Sequence, residues 1–335
     1  MPISLPKSIV NTLETSALIN GQPLDPHIAT HTHQGKYSTV HYGIMLPNIA
    51  APFNFLNLIA VVGQPKVRIF NNPHIVKTTP LDTANLLVGT AVANNQQFKG
   101  YTVSQDCNFS SHGRHLEFAN DLTIDVDGSH ITATRQGHDF NFELDLRMTD
   151  KIAHFVKLRG GLYDHWAILC QYTGHLEYMG ERTNISGLCT YEYARGANIP
   201  LPIQFFTYQI LNIDEQTQVL FVDTHGGGLH LQRRVYVRGV NDHGGIYEAG
   251  FKSVVHEYLA PVTSPNGIRM RLPKQISWQV DDHHGKLLIQ IDATSNEDFQ
   301  FGMAGGYAGS YEYIGQFKGQ AIQGTGYIEY IDPMD

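Results

Sequence analysis

Tyr163-Asp164-His165-Trp166 places a carboxylate and an imidazole, two common proton carriers, beside two aromatic rings. Such a group can pass a proton to or from a bound molecule while the rings shield an apolar or cationic intermediate. The same four residues also suit a longer loop or strand with Trp166 in a core. Acidic residues followed by tyrosine recur at Glu177, Glu192, Glu312 and Glu329. A carboxylate in a dry cavity has a raised pKa and can act as a general acid, but a duplicated carboxylate also fits a shared duty in strand pairing. We take Asp164, His165 and Glu192 as candidate catalytic residues: Asp164 or His165 supplies the proton, and Glu192 orients or shares it. His41, Tyr42, Trp166 and His225 are candidate ligand-binding residues. Tyr42 and Trp166 shape the cavity, and His225, which opens Thr224-His225-Gly226-Gly227-Gly228-Leu229-His230, sits at its mouth or in an ordinary loop.

Other chemistries find little support in the spacing. The 18 histidines supply the pairs His31/His33, His112/His115 and His283/His284, but a zinc or iron site needs three or more convergent ligands. No metal and no cofactor is expected. There is no glycine fingerprint opening a helix after a strand, and no Gly-x-Ser-x-Gly element. Cys107, Cys170 and Cys189 are too few for a disulfide framework and read as reduced thiols in a cytoplasmic protein. A net charge of -8 argues against a nucleic-acid partner. In the densest basic run, Arg234 and Arg238 share a strand face with Tyr236, read as a solvated or ion-paired face. No signal peptide is apparent, and the longest apolar run, Phe53 to Val62, is half a membrane span. The expected partner is a hydrophobic small molecule; the sequence does not fix the oligomeric state.

The elements that must carry these residues are strands. Of 335 residues, 16% are charged and 32 are glycine, a profile of strands and turns. Phe140 to Met148 alternates apolar with polar side chains, and His115 to Val126, Gln218 to Asp223, Leu231 to Arg238, Ile276 to Val280 and Lys286 to Asp292 read similarly. Ser8 to Ile19 carries a helical pattern with Ser8 as cap. The chain also repeats itself: Glu177-Tyr178-Met179-Gly180, Gly187 and Glu192-Tyr193 match Glu312-Tyr313-Ile314-Gly315, Gly324 and Glu329-Tyr330. Such a match marks a duplicated unit. Aligned on the first elements and on the pairs Gly160-Gly161 and Gly305-Gly306, the first copy holds about ten extra residues within Leu162 to Gly174. Proline and glycine between Ala194 and Pro202 mark a stiff connector. The expected organisation is an extension over 1–36, one β domain over 37–196 and a second over 197–335.

Two successive β domains, each ending in a strand of the form G-x-x-x-x-E-Y, resemble the tandem lipocalin-like proteins related to carotenoid hydratase (hydroxyneurosporene synthase) and the AttH-like proteins. Gly324-Thr325-Gly326-Tyr327-Ile328-Glu329 is also similar to an element of tocopherol cyclases. The resemblance implies a mainly β chain of two calycin-type antiparallel barrels. In enzymatic members it implies acid-assisted hydration, cyclisation or isomerisation of a large apolar substrate. The aromatic-rich opening of such proteins is replaced here by His41-Tyr42-Gly43-Ile44-Met45-Leu46-Pro47. A non-catalytic carrier of a hydrophobic ligand is the alternative, and a carbohydrate-active protein with two carboxylates flanking an open groove a further one.

Overall fold

Strands that alternate apolar and polar residues bury one face, whereas continuously apolar strands must be covered on both. Both kinds occur in the computed structural model, which describes residues 14–25, 28–93, 97–197, 199 and 203–334. The first sheet has eleven antiparallel strands: β1 (Tyr37–Ile49), β2 (Asn54–Val62), β3 (Thr83–Gly89), β4 (Phe98–Thr102), β5 (Cys107–Phe109), β6 (His115–Phe118), β7 (Leu122–Asp127), β8 (His130–Arg135), β9 (Phe140–Lys157), β10 (Tyr163–Tyr178) and β11 (Glu181–Ala197). Their order is β4-β3-β2-β1-β11-β10-β9-β8-β7-β6-β5. The edge strands β4 and β5 are joined by the single helical turn Val103–Asp106, and Lys99 and Tyr101 of β4 reach Asp121 beside β7, so the sheet curls toward closure.

The second sheet is built from β12 (Phe205–Asn212), β13 (Thr217–Gly226), β14 (Leu229–Gly239), β15 (Asp242–Tyr247), β16 (Lys252–Tyr258), β19 (Pro273–Asp281), β20 (Leu287–Ser295), β21 (Gln300–Met303), β22 (Gly306–Phe317) and β23 (Gln320–Ile331). β17 (Val262–Thr263) and β18 (Arg269–Met270) form a separate short ladder. The order β15-β14-β13-β12-β23-β22-β20-β19-β16 follows the same scheme as the first sheet, because each chain half enters mid-sheet, runs out to one edge, crosses over and returns beside its own first strand. The mainly β, two-barrel architecture expected from the sequence is present.

The inner side chains of the first sheet, including Tyr42, Ile44, Trp166, Ile168, Tyr191 and Tyr193, form one core. The alternate side chains of the same strands, Met45, Phe55, Ile59, Phe155 and Ala167, join the core of the second sheet. The two sheets therefore pack back to back, and β2, the continuous apolar run, is buried on both faces.

Several expectations need correction. Glu177-Tyr178 ends β10 and Met179-Gly180 forms the β10–β11 turn, whereas Glu312-Tyr313-Ile314-Gly315 lies within β22, whose turn is Lys318-Gly319. Only the G-x-x-x-x-E-Y elements coincide: Gly187 lies under the cross-strand Tyr172 ring and Gly324 under that of Tyr313, so each glycine is covered by an aromatic. By this register the ten-residue insertion disappears, and Trp166 opposite Tyr193 has its counterpart in Tyr307 opposite Tyr330. His115 to Val126 is two strands, because Ala119 takes φ 49 in a turn. Arg238 and Tyr236 are each 2% exposed and face the first sheet rather than water, while Arg234 is ion-paired to Glu248 and Glu14. The helix over Ser8 to Ile19 falls largely outside the described residues, and what is described is a 3-10 turn at Ser16–Leu18. Most of the connector, residues 198 and 200–202, lies outside them too.

Candidate functional site between the two sheets

Strand register alone assembles the central group. On β11, Glu192 has Gly43 of β1 opposite it on one side and Ala167 of β10 on the other. Two residues along, Ala194 is flanked by His41 and His165. Three small residues thus leave the carboxylate room, and both imidazoles lean over it. His41 Nε2 stands 3.7 Å and His165 Nε2 3.5 Å from Glu192 Oε2. A Cβ on Gly43 would lie 3.1 Å from His41 Nε2, so glycine there keeps the ring in place. Glu192 is 3% exposed, His41 21% and His165 17%, so the rings are reachable while the carboxylate is not. His41 Nδ1 lies 3.2 Å from the Ala60 carbonyl oxygen. Phe155 meets the His165 ring edge-on at 4.8 Å, and Tyr163 at 6.2 Å.

Burial alone would push the Glu192 carboxyl up, but the His165 and His41 rings outweigh it and hold it at about 2. The donor atoms of His41, His165 and Glu192 lie within 4.8 Å of one another, close enough to hold a metal ion.

The second sheet presents the same scaffold with different side chains. Glu329, the counterpart of Glu192, has Tyr208 and Ala308 opposite it, and Ile331 has Phe206 opposite it with Gly306 against its side chain. Where the first copy has His41 and His165, the second therefore has Phe206 and Gly306. Glu329 is 6% exposed and accepts a 3.0 Å hydrogen bond from the Tyr327 hydroxyl, which in turn faces Asn57 of the first sheet at 3.4 Å. Burial and the nearby Glu192 charge raise its pKa well above the carboxylate range, against the opposing hydrogen bond from Tyr327. Tyr208 is buried between the two acids, its phenol held neutral by burial and by the Glu192 charge. Arg238 donates to the Ala167 carbonyl oxygen at 2.9 Å, to Thr190 Oγ1 at 3.0 Å and to Gln218 Oε1.

Of the residues singled out from the sequence, His41, His165 and Glu192 converge. Asp164 does not: strand alternation turns it to the opposite face of β10, 4.0 Å from Arg195. Tyr42 and Trp166 also point into the first barrel's core, where Tyr42 donates to the His31 carbonyl oxygen at 2.7 Å and Trp166 packs on Tyr191 and Tyr193. Trp166→Ala is therefore expected to cost about 3–5 kcal/mol of stability, read as a shift in the urea midpoint. His225 stacks on Phe205 at 4.3 Å, away from the group. Sequence reasoning passed over Phe155 and Tyr208, and treated Glu329 as strand closure. The duplicated Glu-Tyr was the signal for Glu329, but it does not reveal that the two copies face each other.

A half-open pocket of about 440 Å³ lies between the sheets, lined by Asn20, Ala153, Arg234, Tyr236, Arg238 and Glu248 among others, a volume suited to a small molecule. Phe155 stands between it and the trio, edge-on to Tyr236 at 5.3 Å and to His165.

The architecture is shared with solved proteins. A candidate AttH protein from Nitrosomonas europaea superimposes with a TM-score of 0.59 at 11% identity, over 92% of this chain and 98% of its own. Kievitone hydratase from Nectria haematococca does so with 0.58 at 12%, over 93% and 97%. A search of curated protein sequences found no significant match. The chain thus shares their fold, two lipocalin-like antiparallel β-barrels in tandem. It belongs to the family described as Family of unknown function (DUF6670), whose model matches residues 59–335. No described helix is long and apolar enough to cross a membrane.

Proposed function

We propose that the inter-sheet site is an acid–base centre that acts on a hydrophobic small molecule, by proton-driven hydration, isomerisation or cyclisation. One observation carries the reading: the same duplicated glutamate is buried in both copies at one interface, with two histidines beside Glu192 and, among the described residues, none beside Glu329. Two carboxyl groups driven apart in this way divide into a base and an acid. Glu329, proton-bearing, donates to an alkene carbon or to a carbonyl oxygen of the substrate. Glu192 with His165 and His41 accepts the balancing proton, from water in a hydration or from the substrate in an isomerisation. Phe155, Tyr163 and Tyr208 supply an aromatic wall. The pocket beyond Phe155 is large enough for the rest of the molecule. That a protein of this fold is named a hydratase supports the reading.

The test begins with native mass spectrometry of the protein as purified, where a bound apolar molecule is expected. Incubation of that molecule with fresh protein should convert it, and Glu192→Gln and Glu329→Gln should each slow the conversion by at least about 100-fold. Undiminished turnover in both variants would sink the site assignment. A bound molecule recovered unchanged by wild type would favour a carrier.

A further inference from the structure

We infer that His41, His165 and Glu192 form a binding site for one divalent transition-metal ion. The inference rests on the reading of the same site as a reaction centre, and it assigns the ionised end of that centre a Lewis acid.

Three features support it. The first is spacing. At 3.5 and 3.7 Å the nitrogen–oxygen pairs are too long for good hydrogen bonds, which fall at about 2.7–3.2 Å. Two ligand atoms about 2.1 Å from one ion at a tetrahedral angle stand about 3.4 Å apart, close to what is observed. The second is orientation. His41 Nδ1 faces the Ala60 carbonyl oxygen at 3.2 Å, so with an ion bound the ring proton would sit on Nδ1 and Nε2 would be the ligand atom. Metal-ligating histidines are characteristically held this way, through the other ring nitrogen to a backbone carbonyl. Two lone pairs directed at one point repel each other unless a cation or a proton lies between them. The third is burial: Glu192 is 3% exposed, so its charge must be met at close range, and the Tyr208 hydroxyl meets it only from the second sheet.

Two imidazoles and one carboxylate leave open positions for water or a substrate oxygen, the pattern of catalytic rather than structural sites. The partly exposed histidine rings lie on the side from which an ion would enter. Gly43, Ala167 and Ala194 keep the space around the carboxylate free of side chains. A cation here would lower the pKa of a bound water, and Glu329 across the interface would remain the proton donor.

Calorimetric titration of EDTA-stripped full-length protein with zinc chloride and with manganese chloride tests this. One equivalent per chain is expected to bind, with a rise in melting temperature. His165→Ala and Glu192→Gln should each weaken binding by at least about 10- to 100-fold, whereas His130→Ala, which removes a ring paired to Asp145 on the first barrel's exterior, should leave it unchanged. Because the chain carries 18 histidines, cobalt substitution supplies a second readout: a visible ligand-field band in wild type, lost in His41→Gln, His165→Gln and Glu192→Gln. These conservative variants keep the comparison open if the alanine variant fails to fold. Absence of binding to wild type, or equal binding by wild type and all trio variants, overturns the inference. Turnover that depends on Glu192 and Glu329 in protein that binds no metal would leave the acid–base reading standing alone. Metal binding without turnover would do the reverse.

Discussion

Arg238→Ala is expected to destabilise the protein by about 3–5 kcal/mol. The guanidinium is 2% exposed, and it joins the second sheet to the first through the Ala167 carbonyl oxygen, Thr190 and Gln218. No acidic side chain forms an ion pair with it among the described residues, so burial works against the charge and lowers its pKa. Hydrogen bonds from a charged donor must offset that cost, at about 1.5–3 kcal/mol each. Truncation leaves the Ala167 carbonyl oxygen without this donor, opens a void beside Tyr208 and removes the positive charge that Glu192 feels. Arg238→Met restores volume but none of the bonds, and should recover only part of the loss. Urea unfolding followed by tryptophan fluorescence reads both, since Trp166 lies in one core and Trp278 in the other. Separate transitions for the two probes would mean that the interface uncouples before either core melts. A loss below about 1 kcal/mol would show that Arg238 does not hold the sheets together.

The fold was more legible than the site, for reasons visible in particular residues. Alternation in Phe140 to Met148 announces a strand because only one side faces a core, and the buried Phe140, Phe142, Leu144 and Leu146 agree with it. The run from Phe53 to Val62 was legible only as too short for a membrane span; that one of its covers is the barrel interior and the other a second barrel emerges only from the packing. The same ambiguity misled the reading of Tyr236 and Arg238, though not of Arg234, which is ion-paired: charges alternating with valine signal water unless a partner sheet arrives with its own carbonyls. His41, His165 and Glu192 lie more than a hundred residues apart at the extremes, so no local spacing could have joined them. Antiparallel register joins them: β1 and β10 flank β11, and pairing with Ala194 brings both histidines to one level. Proximity in sequence was the wrong guide for Asp164 and Trp166, since neighbours on a strand point to opposite faces.

The duplicated glutamates should give pH dependences of opposite sign. In the folded protein the Glu192 carboxyl is held at about 2 against an ordinary 4.5. Its ionised form therefore contributes stability that is fully present above pH 4.5 and is lost as pH falls through that window toward 2. At 1.36 kcal/mol per unit the contribution is about 3 kcal/mol. Glu192→Gln, measured in EDTA, should be less stable than wild type by about that amount near neutrality, and the gap should close on acidification. Glu329 has the opposite shift, because burial and the Glu192 charge keep its proton on. Its protonated form favours the folded state at low pH, and that advantage disappears as pH rises past the ordinary carboxylate range. Glu329→Gln retains a neutral side chain at every pH, so it should gain stability relative to wild type as pH increases. Parallel slopes for the two variants in urea midpoints between pH 3 and 8 would mean that the copies share one protonation state. The division into acid and base would then fail, whatever the fate of the fold.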